Sequence, residues 1–217
     1  MNKSFLCKPD IRILEAMCGY AEGKQLVERH LGMSVIYEGF DYSRPLVERV
    51  LTTNPELHVS VVDATRFEAS ATYDLILVIG GLHHVHQYSR DILKRLKNAL
   101  KPGGYGIVFE PTHNNRLFQL IRRLIYHNND LFDEVTEQAF WLAELNRLFE
   151  ESGFTIVDQM YPGLLLYVMY YNPDAFPLIN VGTPRLIRMW HRFERLLYRS
   201  SLGKYLSFAT ITLIRKV

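Results

Sequence analysis

Residues Ile11–Gly23 read IRILEAMCGYAEG. A short apolar run, Ile11 to Leu14, ends in an acid, Glu15. A tight turn of mostly small residues follows, Ala16 to Ala21, and a helical pattern opens at Gly23. The stretch is therefore a strand, a close-approach loop and a helix N-terminus in immediate succession. Bare backbone at a helix N-terminus can hold the carboxylate or phosphate end of a nucleotide-like ligand. The carboxylate of Glu15 repels a phosphate, and it suits a ligand that carries an ammonium group beside its carboxylate. An ordinary strand-to-helix turn would also want Gly19 for its permissive φ, so the turn has to be read with its surroundings.

The chain has 217 residues, 48% hydrophobic and 22% charged. That is ordinary globular composition and enough for one full domain with a substantial core. The formal net charge of +2 gives no global case for nucleic acid. Of the two cysteines, Cys7 and Cys18, the second lies inside the turn, where a disulfide would distort it. No metal-ligand spacing occurs, and the cytoplasm is the expected compartment. The opening MNKSFLCKPD has no long apolar core and does not read as a signal peptide. No apolar run is long enough to span a bilayer. The longest, Leu164 to Tyr171, lies between Pro162 and Pro173.

Beyond the turn, helix and strand patterns alternate. Lys24 to Leu31 reads as a helix stopped by Gly32. Ser34 to Phe40 reads as a strand ending at Asp41, and Ser43 is the expected N-cap of a helix running to about Leu51, with Pro45 in its first turn. His58 to Val62 is a β-branched strand ending at Asp63. Tyr73 to Ile79 is almost continuously apolar, as a strand covered on both faces should be. Gln87 to Leu100 is an amphipathic helix closed by the turn Lys101–Gly104, and Tyr105 to Phe109 is a fifth strand. This alternation predicts an α/β fold, a parallel sheet with helices on both faces, and ligands at the carboxyl ends of the strands. Those ends carry Glu15, Asp41, Asp63, Gly80 and Glu110.

Ile11–Gly23 resembles motif I of the class I S-adenosylmethionine-dependent methyltransferases, which usually reads acid, any, Gly, any, Gly, any, Gly. Glu15 and Gly19 match the acid and the middle glycine, while Met17 and Ala21 stand in place of the outer glycines. The Met17 side chain is expected to turn away from the ligand. Asp41 in GFDYS resembles the family acid that takes both ribose hydroxyls. Asp63 in VVDAT resembles the residue that accepts from the adenine amino group, with Ala64 offering its N–H to the ring. Tyr73–Ile76, the GGLHHV of Gly80–Val85 and the LKPGG of Leu100–Gly104 resemble the fourth strand's opening, the loop after it and the turn before the fifth strand. The resemblance runs continuously over Ile11–Glu110; Glu137–Met160 and Phe208–Val217 fit the family's last helix and final strand pair. It implies a mostly parallel seven-stranded Rossmann-like sheet with the last strand antiparallel, and a single methyltransferase domain over residues 1–217. It also implies S-adenosylmethionine as cofactor, held by Glu15, Ala16, Met17, Gly19, Tyr20, Asp41, Tyr42, Asp63, Ala64, Gly80 and Leu82. A catalytically inactive S-adenosylmethionine-binding module of the same fold stays open. A nicotinamide dehydrogenase fits less well, because its turn needs three glycines for the pyrophosphate.

Methyl transfer from a sulfonium is an in-line displacement that needs positioning above all. A general base is required only where the acceptor loses a proton, as a hydroxyl does. His83 and His84, just past the fourth strand, and His113, after the fifth, are the candidates. A structural role for the His-His pair is the competing reading, and Glu110 reads as a loop anchor. His83, His84 and His86 lack a thiol or carboxylate to close a metal set, so no metal is expected.

Residues 111–135 and 163–205 read as substrate-lid insertions. Leu117, Leu120, Ile121, Leu124 and Ile125 form one stripe with Arg116, Arg122 and Arg123 beside it. The second insertion opens with Tyr167, Tyr170, Tyr171 and Phe176 and becomes a helix. There Leu186, Met189, Trp190, Phe193, Leu196 and Leu197 recur at helical spacing beside Arg185, Arg188, Arg192, Arg195 and Arg199. In the simplest reading both stripes pack down as a lid with the arginines in solvent. A basic amphipathic helix at 184–205 also suits peripheral contact with the inner membrane face, or the diphosphate of a lipid-linked sugar. The segment Glu110-Pro111-Thr112-His113-Asn114 resembles methyltransferases of surface-glycan and lipid-linked sugar pathways, which implies a glycan or lipid-linked acceptor methylated on oxygen. A small-molecule hydroxyl is the competitor.

Overall fold

The computed structural model describes residues 10–115, 139–164, 166 and 183–217. Strand β1 (Arg12–Ala16) sets the layering, because successive side chains point to opposite faces of a sheet. Ile13 enters one buried cluster with Tyr37, Val59, Leu75 and Leu77, under helices α1 (Gly23–Leu31) and α2 (Arg44–Thr53). Leu14 and Ala16 enter the other with Ile76, Val78 and Val108, under α3 (Ser89–Ala99) and α4 (Leu142–Glu151). Both faces of the sheet are thus covered, as the apolar run Tyr73–Ile79 requires.

The remaining strands are β2 (Ile36–Asp41), β3 (His58–Val61), β4 (Tyr73–Ile79), β5 (Leu100–Pro111), β6 (Phe154–Met160) and β7 (Ala209–Lys216). They form one seven-stranded sheet in the order β3-β2-β1-β4-β5-β7-β6. The first five are parallel, and β7 runs antiparallel between β5 and β6. The chain order reverses between β1 and β4, so the crevice at their carboxyl ends is where a ligand is expected. The predicted α/β class, the strand count and the antiparallel last strand are all present.

Three local expectations change. Lys101–Gly104 is not a separate turn. Leu100 pairs with Tyr73, and a register shift between Tyr73 and Leu75 absorbs the glycines into a twelve-residue β5. Ser43 does occupy the N-cap of α2, but its side chain makes no capping bond; its N–H donates instead to Asp41 Oδ1 at 2.8 Å. The helix predicted from Gln87 begins at Ser89, after a 3-10 segment over Leu82–Tyr88.

Two further helices, α5 (Pro184–Arg195) and α6 (Ser201–Leu206), precede β7. Leu186, Met189, Phe193 and Leu196 do not pack down onto the core and are exposed. The residue that α5 buries is Glu194, whose Oε1 accepts the Leu166 N–H at 2.8 Å. The stripe at 117–125 and the aromatic residues at 167–176 lie outside the described residues.

Candidate functional site

The five parallel strands bring Glu15, Asp41, Asp63, Gly80 and Glu110 to one edge of the sheet. Met17, Gly19 and Ala21 all take positive φ, at 55°, 51° and 57°. These are the three positions where the resembled motif has glycine, so the backbone keeps the shape although two of the residues differ. For Met17 and Ala21 the left-handed conformation costs roughly 1–2 kcal/mol each. Surrounding bonds hold it: Cys18 N–H donates to Phe40 O, Ala21 N–H to Cys18 O and Gly19 N–H to Asp41 Oδ2. The Met17 side chain lies against Gly81, where an added β-carbon would come within 2.8 Å of Met17 Cβ.

Glu15 is only 2% exposed. Its Oε2 accepts the Gly23 N–H at 3.0 Å and the Tyr37 hydroxyl at 2.5 Å. Burial pushes its pKa up, and those two bonds pull it partly back. The carboxylate therefore ties the end of β1 to the first residue of α1. Both of these bonds serve the turn itself, which fits Gly23: a β-carbon there would sit 2.6 Å from the Glu15 carboxyl carbon. Tyr37 carries no local sequence signal, since it lies mid-strand and twenty-two residues from its partner.

Asp41 is half-buried, with Gly19 N–H on one oxygen and Ser43 N–H on the other. Each carboxylate oxygen has a second lone pair, so the group can still receive two hydroxyls. Asp63 Oδ1 accepts the Thr65 N–H and hydroxyl at 2.9 and 2.7 Å, which together hold its pKa below the ordinary value. It caps a 3-10 turn over Ala64–Arg66, and Ala64 is buried. Tyr20 and Tyr42 are exposed, with the Arg49 guanidinium 5.8 Å from the Tyr20 ring centre. Cys18 is buried, and burial together with Glu15 and Asp41 pushes its thiol up to about 12. Ala16 is fully buried, and Leu82 is fully buried with its N–H donated to Glu110 Oε1 at 2.8 Å.

Glu110 is completely buried. Besides Leu82 N–H, it receives His83 N–H at 3.3 Å and contacts His83 Nδ1 at 2.9 Å. It is thus the loop anchor expected of it, and it also orients His83. The His83 ring passes over Gly80, its Cε1 3.7 Å from where a Gly80 β-carbon would lie. The exposed His84 ring lies 4.0 Å from that of His83. His86 turns elsewhere: it pairs with Glu144 at 3.1 Å and stacks on Phe140. His113 is half-buried at the end of β5, its N–H on Phe140 O and its ring 5.8 Å from that of Trp141. Among the described residues no three His, Cys, Asp or Glu side chains converge as a metal site.

The turn, with its left-handed backbone positions and neighbouring acids, fits a ligand with both a carboxylate and positive charge. Known proteins agree. A sequence-family profile described as a methyltransferase domain matches residues 2–159. A search of curated protein sequences finds no match. The fold is shared with an S-adenosylmethionine-dependent methyltransferase from Mesorhizobium loti, at 15% identity and TM-score 0.62, covering 95% of this chain and 91% of that one. A second from Methanosarcina mazei is 16% identical with TM-score 0.63, covering 97% and 94%. The cyclopropane synthase MmaA2 from Mycobacterium tuberculosis gives 16% and 0.63, covering 96% and 79%. With the profile spanning well over half of the chain and the sheet order in agreement, this chain belongs to the methyltransferase-domain family, with S-adenosylmethionine as its cofactor.

Proposed function

We propose that the protein transfers the methyl group of S-adenosylmethionine to an oxygen of a small-molecule, glycan or lipid-linked acceptor, with His83 as general base. The cofactor supplies a methyl carbon bonded to a positively charged sulfur. In this reading Asp41 takes the ribose hydroxyls, Asp63 and Ala64 the adenine, and the backbone of 16–21 the methionine end. Glu15 holds that turn in shape from behind.

The observation that carries the base is the buried Glu110 carboxylate on His83 Nδ1 at 2.9 Å. The backbone N–H groups of Leu82 and His83 also donate to its two oxygens, which fixes the carboxyl group beside the ring. In this reading Nδ1 carries the ring proton and donates it to the Glu110 carboxyl group, and Nε2 keeps its lone pair. Nε2 is then free to receive the hydroxyl proton as the acceptor oxygen bonds to the methyl carbon; the C–S bonding pair stays with sulfur.

The test is His83→Ala, assayed by release of S-adenosylhomocysteine over a panel of hydroxyl acceptors. Turnover should fall roughly 10²–10⁴-fold with unchanged cofactor affinity. Near-normal turnover would remove histidine from the base role and leave positioning alone. Cofactor binding by the native protein without transfer to any acceptor would favour the inactive module.

A further inference from the structure

Helix α5 and the segment after it present an unusual outer surface. Leu186, Met189, Phe193 and Leu196 recur on one side and are 38%, 57%, 56% and 76% exposed. Arg185, Arg188, Arg192 and Arg195 form the adjoining row, all exposed, and none makes an ion pair with a described residue. On α6, Leu202 and Tyr205 are also exposed, at 55% and 65%, beside Lys204. The one acid in 184–206 is Glu194, and it is buried beneath. Charge and apolar area therefore share the outward half of the helix, while the inward half is anchored. Thr183 caps the start, Glu194 receives Leu166 N–H, and Tyr161 N–H donates to Tyr198 O.

We infer that this surface docks onto an anionic lipid bilayer. Its apolar residues enter the boundary between headgroups and acyl chains, and its arginines meet lipid phosphates. A basic amphipathic helix binds membranes by this combination of shallow apolar burial and charge attraction. Guanidinium forks suit phosphate oxygens. A second copy of the chain is the competing occupant: an antiparallel two-fold pairing would set one row of arginines against the other, and a parallel pairing is read out as a dimer in the experiment below.

The surface is tied to the catalytic edge of the sheet. Asn115 Nδ2 donates to Leu206 O, and Thr112 N–H donates to Phe208 O, both from the end of β5 that follows Glu110. Docking by this segment therefore brings the His83 side of the sheet close to the lipid surface, where a lipid-linked acceptor would be met. The inference does not depend on oxygen being the acceptor atom, because docking is read without turnover.

The experiment is co-sedimentation of the full chain with phosphatidylcholine vesicles, with and without phosphatidylglycerol, from low to physiological salt. Binding is expected only with the anionic lipid and should fall as salt rises. Each arginine contributes about fivefold at low salt, so Arg188→Glu with Arg192→Glu should lose at least roughly thirtyfold. Phe193→Ser with Leu196→Ser should also weaken vesicle binding. Both variants should keep native S-adenosylmethionine affinity, since all four side chains are exposed. Three results would overturn the inference: no vesicle binding at any salt, equal binding to neutral and anionic vesicles, or a dimer in analytical ultracentrifugation that the serine pair dissociates.

Discussion

Gly23→Ala sets two opposed effects against each other, and the structure decides between them. Gly23 is the first residue of α1 and has ordinary helical geometry there. Helix propensity alone would make alanine the better residue by roughly 0.5–1 kcal/mol. Its β-carbon, however, would lie 2.6 Å from the Glu15 carboxyl carbon and Oε2, and 2.8 Å from Oε1. Such contacts do not occur in real proteins, so the carboxylate must leave its place. Leaving breaks two bonds, from Gly23 N–H and from the Tyr37 hydroxyl. Hydrogen bonds to a charged acceptor are worth about 1.5–3 kcal/mol each, so after the propensity gain the net loss is roughly 2–5 kcal/mol. For a chain of this size that lowers Tm by roughly 4–20 °C. Urea and thermal unfolding of the purified variant measure it. In a Glu15→Ala background the same substitution should be neutral or mildly stabilising, because the clashing group is gone, and the cycle reads out the coupling directly. A Gly23→Ala protein as stable as the native one, or more stable, would show that Glu15 does not hold the turn as described.

Three more outcomes are expected. Asp41→Ala should weaken S-adenosylmethionine by one to two orders of magnitude in titration calorimetry, since losing two charge-assisted bonds costs on the order of 2–4 kcal/mol; an unchanged dissociation constant would displace the cofactor from this strand end. Burial tends to raise the Glu38 pKa, but bonds from the Tyr73 hydroxyl and Arg12 outweigh it and leave it below the ordinary 4.5. Its stabilisation is therefore full above 4.5 and lost as pH falls through the lowered folded value, so Glu38→Gln should be less stable than native at neutral pH and converge with it in acid. A gap between the two unfolding curves that widens in acid would contradict this. Cys18, buried with its thiol pushed up to about 12, should alkylate only as fast as the protein unfolds, and rapid labelling in native buffer would refute its burial.

Much of the fold was legible because its signals are local. The apolar run Tyr73–Ile79 announces a strand covered on both sides, and the structure bounds that strand identically. The helix before Gly32 ends there because glycine accepts the left-handed cap, at φ 69°. Acids were expected at successive strand ends, and Asp41 ends β2 while Asp63 follows β3. The shape of the first turn was less legible. Its three left-handed positions survive without two of the expected glycines, because hydrogen bonds from Cys18, Gly19 and Ala21 hold the backbone.

What chain order alone determined here was the alternation of elements and the sheet class, and with them the strand ends at which a cofactor is expected, since each follows from residue periodicity and from the first five strands running one way. Tertiary structure decided the partners. Tyr37 reaches Glu15 across twenty-two residues, and Glu110 reaches His83 across twenty-seven. No pattern within one element encodes such a pair, because it forms only when strands lie side by side in a particular register. The same holds for α5. Its sequence shows an apolar stripe beside arginines, but periodicity states only that two faces differ. Which face meets the protein depends on what lies underneath, and there the helix buries Glu194 and leaves Phe193 and Leu196 in solvent.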